Sequence, residues 1–77
     1  MIIKVLGSGC ANCVNLEQNA RLAAKELGIE AEFVKVKDME GIASYGILRT
    51  PGLVVDEKVV SYGRVLTVEQ IKPLLVK

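Results

Sequence analysis

The chain has no histidine and no tryptophan, and its 77 residues include only two cysteines, two prolines and three aromatic side chains. Without histidine, the sequence excludes Cys–His nucleophilic catalysis, Ser–His–Asp triads and zinc sites built from cysteine and histidine. Two thiolates alone cannot complete the four-coordinate shell of a structural zinc ion within one chain. The glycines are scattered and form no phosphate-binding loop. The chemistry of this chain therefore rests on few residues.

The sequence also lacks long apolar runs and charge clusters. Ten basic and nine acidic residues leave a net charge of +1, and no basic patch with interleaved aromatics predicts nucleic-acid binding. No stretch approaches the roughly 18 apolar residues of a membrane span. The opening residues Met1-Ile2-Ile3-Lys4 do not fit a signal peptide, because the apolar run is short and no cleavage pattern follows. We therefore expect one cytoplasmic domain, residues 1–77, without a nucleic-acid or membrane partner.

The first half of the chain predicts a strand, a long helix and a second strand. Met1 to Leu6 is apolar except for Lys4, which is typical of a strand covered on both faces. From about Ala11 to Leu27, apolar residues recur at three- and four-residue spacing, and Gly28 follows as a helix terminator. Ala31 to Val36 has the weaker alternation of an edge strand. A strand–helix–strand unit of these lengths predicts two parallel strands.

The second half predicts a short helix and a hairpin. Asp38 can cap a helix over Met39 to Tyr45, which Gly46 ends. Two strands follow, at Pro51 to Val55 and Lys58 to Tyr62, and the two residues between them predict a hairpin turn.

The last helix opens with a capping-box sequence, Thr67-Val-Glu-Gln70, and contains Pro73, which we expect to kink or fray its final turn. The complete order is β-α-β-α-β-β-α. It predicts an α/β arrangement: a mixed four-stranded sheet with helices on both faces.

Cys10 and Cys13 lie three residues apart where the first strand gives way to the long helix. Free backbone N–H groups and the positive end of the helix dipole favour a thiolate at Cys10. A thiolate attacks a disulfide, and Cys13, one turn further on, is close enough to resolve the mixed disulfide that forms. We predict Cys10 as the nucleophile and Cys13 as the resolving thiol. Gly7 and Gly9 carry no side chain that would shield the site, and we expect both to let a substrate approach.

A second signal, Thr50-Pro51, follows about forty residues later. If the third strand runs antiparallel beside the first, its start meets the end of the first strand. Thr50-Pro51 is then predicted to lie next to Cys10.

Over essentially its whole length the chain resembles the thioredoxin/glutaredoxin superfamily, and most closely its small thioredoxin-like redox-active disulfide proteins. The resemblance rests on Gly9 to Cys13, on Pro51 to Leu53 and on the pair Gly63-Arg64. It implies a thioredoxin-like fold with a cis Thr50–Pro51 bond that faces the active-site disulfide. It also implies a substrate-docking groove lined by Gly9, Thr50, Pro51 and Gly63.

The resemblance further implies a thiol–disulfide oxidoreductase that acts on protein disulfides and is recycled by a thioredoxin-reductase-like electron donor. The reversible Cys10–Cys13 disulfide would be its redox centre, with no separate cofactor and no metal. Thioredoxins of this superfamily carry Gly-Pro between the cysteines, whereas this chain has Ala11 and Asn12, which are candidates for tuning the pair. Asn12 is either a solvent-facing residue or a hydrogen-bond partner of a substrate backbone.

Two other functions use the same cysteine pair. Small soft-metal carriers hold Cu(I) with two thiolates on a first strand-to-helix loop, although their element order is β-α-β-β-α-β and this chain has Ser8 where they typically have methionine. A redox-sensing interaction module is the third possibility. Lys37 is either a solvated lysine or a residue that lowers the Cys10 pKa, and Arg49 and Arg64 are either solvated charges or selectors of acidic partners. Tyr45 and Tyr62 are expected to be partly buried.

Overall fold

The structure is a computed structural model that describes residues 1–7, 11–47 and 49–76. Its elements follow the predicted order β-α-β-α-β-β-α, which differs from the order of the soft-metal carriers. They are β1 (Ile2–Leu6), α1 (Ala11–Glu26), β2 (Glu32–Val36), α2 (Met39–Ser44), β3 (Gly52–Val55), β4 (Lys58–Tyr62) and α3 (Val68–Leu75). Among these described segments, no helix combines the length and apolarity needed to cross a membrane.

The four strands form one mixed sheet in the order β2-β1-β3-β4. β1 pairs parallel with β2 and antiparallel with β3, and β3 pairs antiparallel with β4. Leu6 pairs with both Val36 and Gly52, and Gly52 pairs with Tyr62. The ends of β1, β2 and β4 and the beginning of β3 therefore lie at one end of the sheet, called the site end below.

Helices cover both faces of the sheet, as the pattern predicts. On one face, α1 and α3 pack with the alternate residues Ile3 and Val5 of β1 in the larger core cluster. On the other face, Ile42 of α2 packs with Leu6 of β1 and with Val54. Burial on both sides explains why β1 and β3 are apolar almost throughout, since every residue of β3 is buried and only Ile2 and Lys4 of β1 are not.

The helix ends follow their local sequence. Gly28 has φ +68°, its N–H donates to the Lys25 carbonyl, and the Ile29 N–H donates to the Ala24 carbonyl, which is the Schellman pattern. At α2, the Asp38 carboxylate accepts from the Gly41 N–H at 2.7 Å. The predicted capping box of Thr67 opens α3, and that helix continues through Pro73 to its end.

The hairpin turn is tight although it lacks glycine. Asp56 and Glu57 have φ values of 49° and 68°, so both adopt the left-handed conformation that a two-residue turn requires. The Asp56 carboxylate accepts from the Ile2 N–H at 2.9 Å, and Glu57 forms an ion pair with Lys4. That hydrogen-bonded pair raises the pKa of Lys4 and lowers the pKa of Glu57.

The two tyrosines differ in exposure. Tyr45 is partly buried, as predicted, and its hydroxyl lies 2.8 Å from Lys4 Nζ. The expectation of partial burial is wrong for Tyr62, which is 56% exposed. Tyr62 is the last residue of the edge strand β4, and an edge strand at its terminus has few neighbours to cover a large ring.

Candidate active site

The predicted reactive segment is described only from Ala11 onward. Gly9 and Cys10 lie outside the described residues, so the nucleophile and the first groove residue stay predictions. Ala11 and Asn12, the candidate tuning residues, are exposed at the beginning of α1.

Cys13 is a buried side chain in the first turn of α1, with 4% of its surface exposed. Its sulfur lies directly over Gly7. A Cβ atom built on Gly7 would overlap Sγ of Cys13 and would lie 3.2 Å from its Cβ. Only glycine at position 7 leaves room for the sulfur, because carbon and sulfur atoms do not approach that closely without a bond.

Gly7 therefore has a different role from the predicted one. It is buried, so it does not offer an open surface to a substrate, and its missing side chain instead accommodates Cys13. Its N–H donates to the Val36 carbonyl at 2.9 Å, which fixes the backbone at the site end of the sheet. The sequence signal for a buried glycine was its position directly after an internal strand that is apolar except for Lys4.

The loop that precedes β3 lies beside Gly7 and Cys13. Cβ of Thr50 lies 3.8 Å from the position that a Gly7 Cβ would take, so Thr50 lies beside Gly7 and close to Cys13. The antiparallel pairing of β1 and β3 produces this approach, as the topology predicts. Thr50 is exposed, Pro51 is buried, and the bond between them is cis.

Gly63, which follows β4, is hydrogen-bonded to the Thr50–Pro51 loop. Its N–H donates to the Pro51 carbonyl at 2.9 Å, and its φ is +75°. A side chain at this position would be strained by the left-handed backbone and would lie 3.3 Å from Cβ of Arg49. The structure therefore brings three of the four predicted groove residues, Thr50, Pro51 and Gly63, together, with Thr50 the one beside Gly7 and Cys13.

A cavity of about 160 Å³ opens beside the Cys13 side chain. Strand and helix both contribute apolar and charged residues to its walls, which are formed by Val5, Gly7, Cys13, Val14, Glu17, Lys35 and Lys37. Lys37 thus lies next to α1, the helix that carries Cys13. The sequence left open whether this lysine is only solvated or lies near the cysteine pair.

Glu17 and Lys35 are the site residues that sequence reasoning missed. Glu17 forms an ion pair with Arg21, four residues further along the same helix, at 2.9 Å. The other carboxylate oxygen of Glu17 lies 3.1 Å from Lys35 Nζ, and the Glu17 side chain is 13% exposed. The available signal was the spacing of four residues from Cys13, which places Glu17 one helical turn above it on the same face.

The pKa of Glu17 reflects two opposing effects. Burial raises it, but the hydrogen bonds from Arg21 and Lys35 outweigh burial and hold the pKa below its ordinary value of 4.5. Glu17 is therefore a carboxylate throughout the neutral range, and the cavity beside Cys13 contains one negative charge between two lysines.

We expect Glu17→Gln to make the stability of the protein less dependent on acid pH. A carboxylate whose pKa is lower in the folded chain contributes stability above its unfolded pKa and loses it as pH falls through the folded pKa, at about 1.4 kcal/mol per unit of difference. The free energy of unfolding, measured by urea denaturation from pH 7 to pH 2, should fall less steeply for the variant. Glu40→Gln, at an exposed residue of α2, is the control. Parallel curves for wild type and Glu17→Gln would contradict the expectation.

Comparison with known proteins adds the family context. The family model described as thioredoxin domain matches residues 1–76. A protein named thioredoxin from Methanothermobacter thermautotrophicus is 52% identical over 75 residues, covering 97% of this chain and 97% of its own. A protein of the same name from Methanocaldococcus jannaschii is 40% identical over 72 residues, covering 94% of this chain and 83% of its own.

Proposed function

Because this chain belongs to the thioredoxin family of redox proteins, we propose that it is a thiol–disulfide oxidoreductase that reacts with protein disulfides through Cys10 and Cys13. The observation that carries the proposal is the position of Cys13. Its sulfur lies against Gly7, at the place where the Thr50–Pro51 loop reaches the end of β1.

The burial of Cys13 supports a division of roles between the two cysteines. A thiol that is 4% exposed cannot meet a disulfide on the surface of another protein, because attack requires direct access to the sulfur. In the proposal, Cys10 attacks and Cys13 resolves. Cys13 is one turn into α1, within reach of a sulfur at the helix N-terminus.

The proposed reaction transfers two electrons. The Cys10 thiolate attacks one sulfur of the substrate disulfide, forms a mixed disulfide and releases the other substrate sulfur as a thiolate. The Cys13 thiolate then attacks Cys10, forms the Cys10–Cys13 disulfide and releases the second substrate thiolate. The substrate is reduced to a dithiol and takes up two protons, and a reductase partner returns two electrons to the cysteine pair.

The substrate chain would bind in extended form along Gly9, Thr50, Pro51 and Gly63. The exposure of Thr50 and the hydrogen bond that holds Gly63 to Pro51 support this groove. Ala11 and Asn12 are exposed at its helix side, where they can tune the reactivity of the pair. We propose that the cysteine pair is the only redox group, that no metal takes part and that the reaction takes place in the cytoplasm.

The test is equilibration of the metal-free protein across dithiothreitol redox ratios, with thiol trapping read by mass. The proposal expects one two-electron transition between the dithiol and an intramolecular Cys10–Cys13 disulfide. Its midpoint indicates whether the protein reduces or oxidises its partners. If no intramolecular disulfide forms and the dithiol instead binds Cu(I) tightly, the soft-metal carrier is the better function. A reversible disulfide without turnover of any protein disulfide would favour the redox-sensing module.

A further inference from the structure

The charges of the described residues divide between the two ends of the sheet. At the site end, Lys37 follows β2, Arg49 precedes β3 and Arg64 follows β4. All three side chains are exposed. Within residues 1–7, 11–47 and 49–76, none of the three forms an ion pair, so their charges are available to a partner.

Two of these cations are held close to the candidate active site. The aliphatic stem of Arg49 packs on Gly63, with Cβ and Cδ 3.3 and 3.4 Å from the position of a Gly63 Cβ. Because Gly63 donates to the Pro51 carbonyl, Arg49 lies beside the docking loop. Lys37 lines the cavity next to Cys13. The cations thus stand on both sides of the proposed groove.

The carboxylates near this end are largely engaged within the fold. Asp38 accepts the Gly41 N–H as the cap of α2, and Glu17 is paired with Arg21 and Lys35. Asp38 and Glu40, which lies in the first turn of α2, are both exposed. Arg21 and Lys35 together more than offset the charge of Glu17, and the three exposed cations outnumber the carboxylates of Asp38 and Glu40. The site end therefore carries an excess of positive charge although the net charge of the chain is only +1.

Acidic residues gather at the opposite end of the sheet. They precede or begin β2 and form the β3–β4 turn; they are Glu30, Glu32, Asp56 and Glu57. Two lysines offset part of this charge: Lys58, at the beginning of β4, and Lys4, which is paired with Glu57. Positive charge therefore predominates at the site end of the sheet and negative charge at the opposite end. A charged partner experiences a different electrostatic potential at each end.

We propose that the site end, with Arg49 and Arg64 as its main determinants, is a docking surface for protein substrates that carry carboxylates next to their disulfide. The proposal deepens the oxidoreductase function and rests on it. Positive charge around the groove speeds the encounter with an acidic disulfide and slows the encounter with a basic one, and the Coulomb attraction acts before any sulfur chemistry begins.

The test uses three peptides with the same intramolecular disulfide, flanked on both sides by glutamate, glutamine or lysine. Second-order rate constants for oxidation of the reduced protein are measured at 10 mM and 500 mM salt. Each rate is divided by the rate with neutral bis(2-hydroxyethyl) disulfide. At low salt, the glutamate peptide should react on the order of tenfold faster than the lysine peptide. At high salt the difference should largely vanish, because screening shortens the range of the charges to a few ångströms.

Matched double variants identify which charges matter. Arg49→Gln with Arg64→Gln should bring the ratio of glutamate to lysine peptide rates close to one at low salt. Lys25→Gln with Lys58→Gln removes the same number of charges at exposed residues away from the site and should leave the ratio near its wild-type value.

Three outcomes would overturn the docking surface, the proposed function or both, and the measurements distinguish them. Equal rates for the three peptides, with normal reaction of bis(2-hydroxyethyl) disulfide, overturn the docking surface and leave the proposed function in place. An equal loss of preference in both double variants shows an effect of net charge alone and also overturns it. No reaction with any disulfide overturns the proposed function, and the docking proposal with it.

Discussion

Cys10→Ser is expected to reduce the turnover of protein disulfides by on the order of a thousandfold or more, as the loss of a covalent nucleophile does. A serine hydroxyl stays protonated at neutral pH and cannot form a disulfide with the substrate. Cys13 cannot replace it, because its sulfur is buried over Gly7. Turnover is measured as the initial rate of reduction of a peptide disulfide with dithiothreitol as the recycling reductant.

Cys13→Ser is the matched comparison for this prediction. That variant keeps the attacking thiol and loses the resolving one, so it should accumulate a mixed disulfide between Cys10 and the substrate, detected as an adduct by mass. Circular dichroism and urea unfolding check that both variants keep the fold. Retention of wild-type turnover by Cys10→Ser, or an adduct on Cys13 in that variant, would contradict the assignment of roles.

Gly7→Ala is expected to lower the free energy of unfolding by about 1 to 3 kcal/mol, the usual effect of overpacking a buried position. The added methyl would overlap Sγ of Cys13, and both backbones are held in place, so the buried sulfur has to rotate away from its position. The Gly7 N–H is hydrogen-bonded to Val36, and Cys13 belongs to a helix whose next turns are buried. We also expect slower resolution of the mixed disulfide, because the Cys13 sulfur is displaced from its position.

A double-mutant cycle isolates the contact. In a Cys13→Ala background the sulfur is absent, and Gly7→Ala should lose about 1 kcal/mol or more of its effect, the coupling typical of residues in contact. Urea unfolding of the four proteins gives this coupling energy directly. Additive effects of the two substitutions would show that the overlap with sulfur is not the reason for glycine at position 7.

Local patterns predicted the elements and most of their ends. The apolar periodicity of α1, the Asp38 cap of α2 and the Thr67 capping box act over four residues or fewer, so their physics is contained in the sequence. The nearly continuous apolar run of β1 likewise indicated an internal strand, and the sheet order places it there. The approach of Thr50 to the end of β1 followed from one topological step, the antiparallel pairing of β1 and β3.

Contacts between distant segments were harder to predict. The Glu17–Lys35 pair joins α1 to β2 across 18 positions, and it depends on how the helix is rotated over the sheet. The exposure of Tyr62 depends on its place at the end of an edge strand. The periodicity of apolar residues indicates which side chains face the core. It does not indicate which charged side chains from two different elements meet at the edge of that core.

The sequence by itself determined the cysteine pair at a helix start, the order of the elements and the resemblance to the thioredoxin family, because each is a property of neighbouring residues or of a local motif. Only the tertiary structure decided that Gly7 makes room for the Cys13 sulfur, that Gly63 is hydrogen-bonded to Pro51, and that charges separate between the ends of the sheet. These features arise where chain segments far apart in sequence meet, and their distances are fixed by the packing of helices on the sheet.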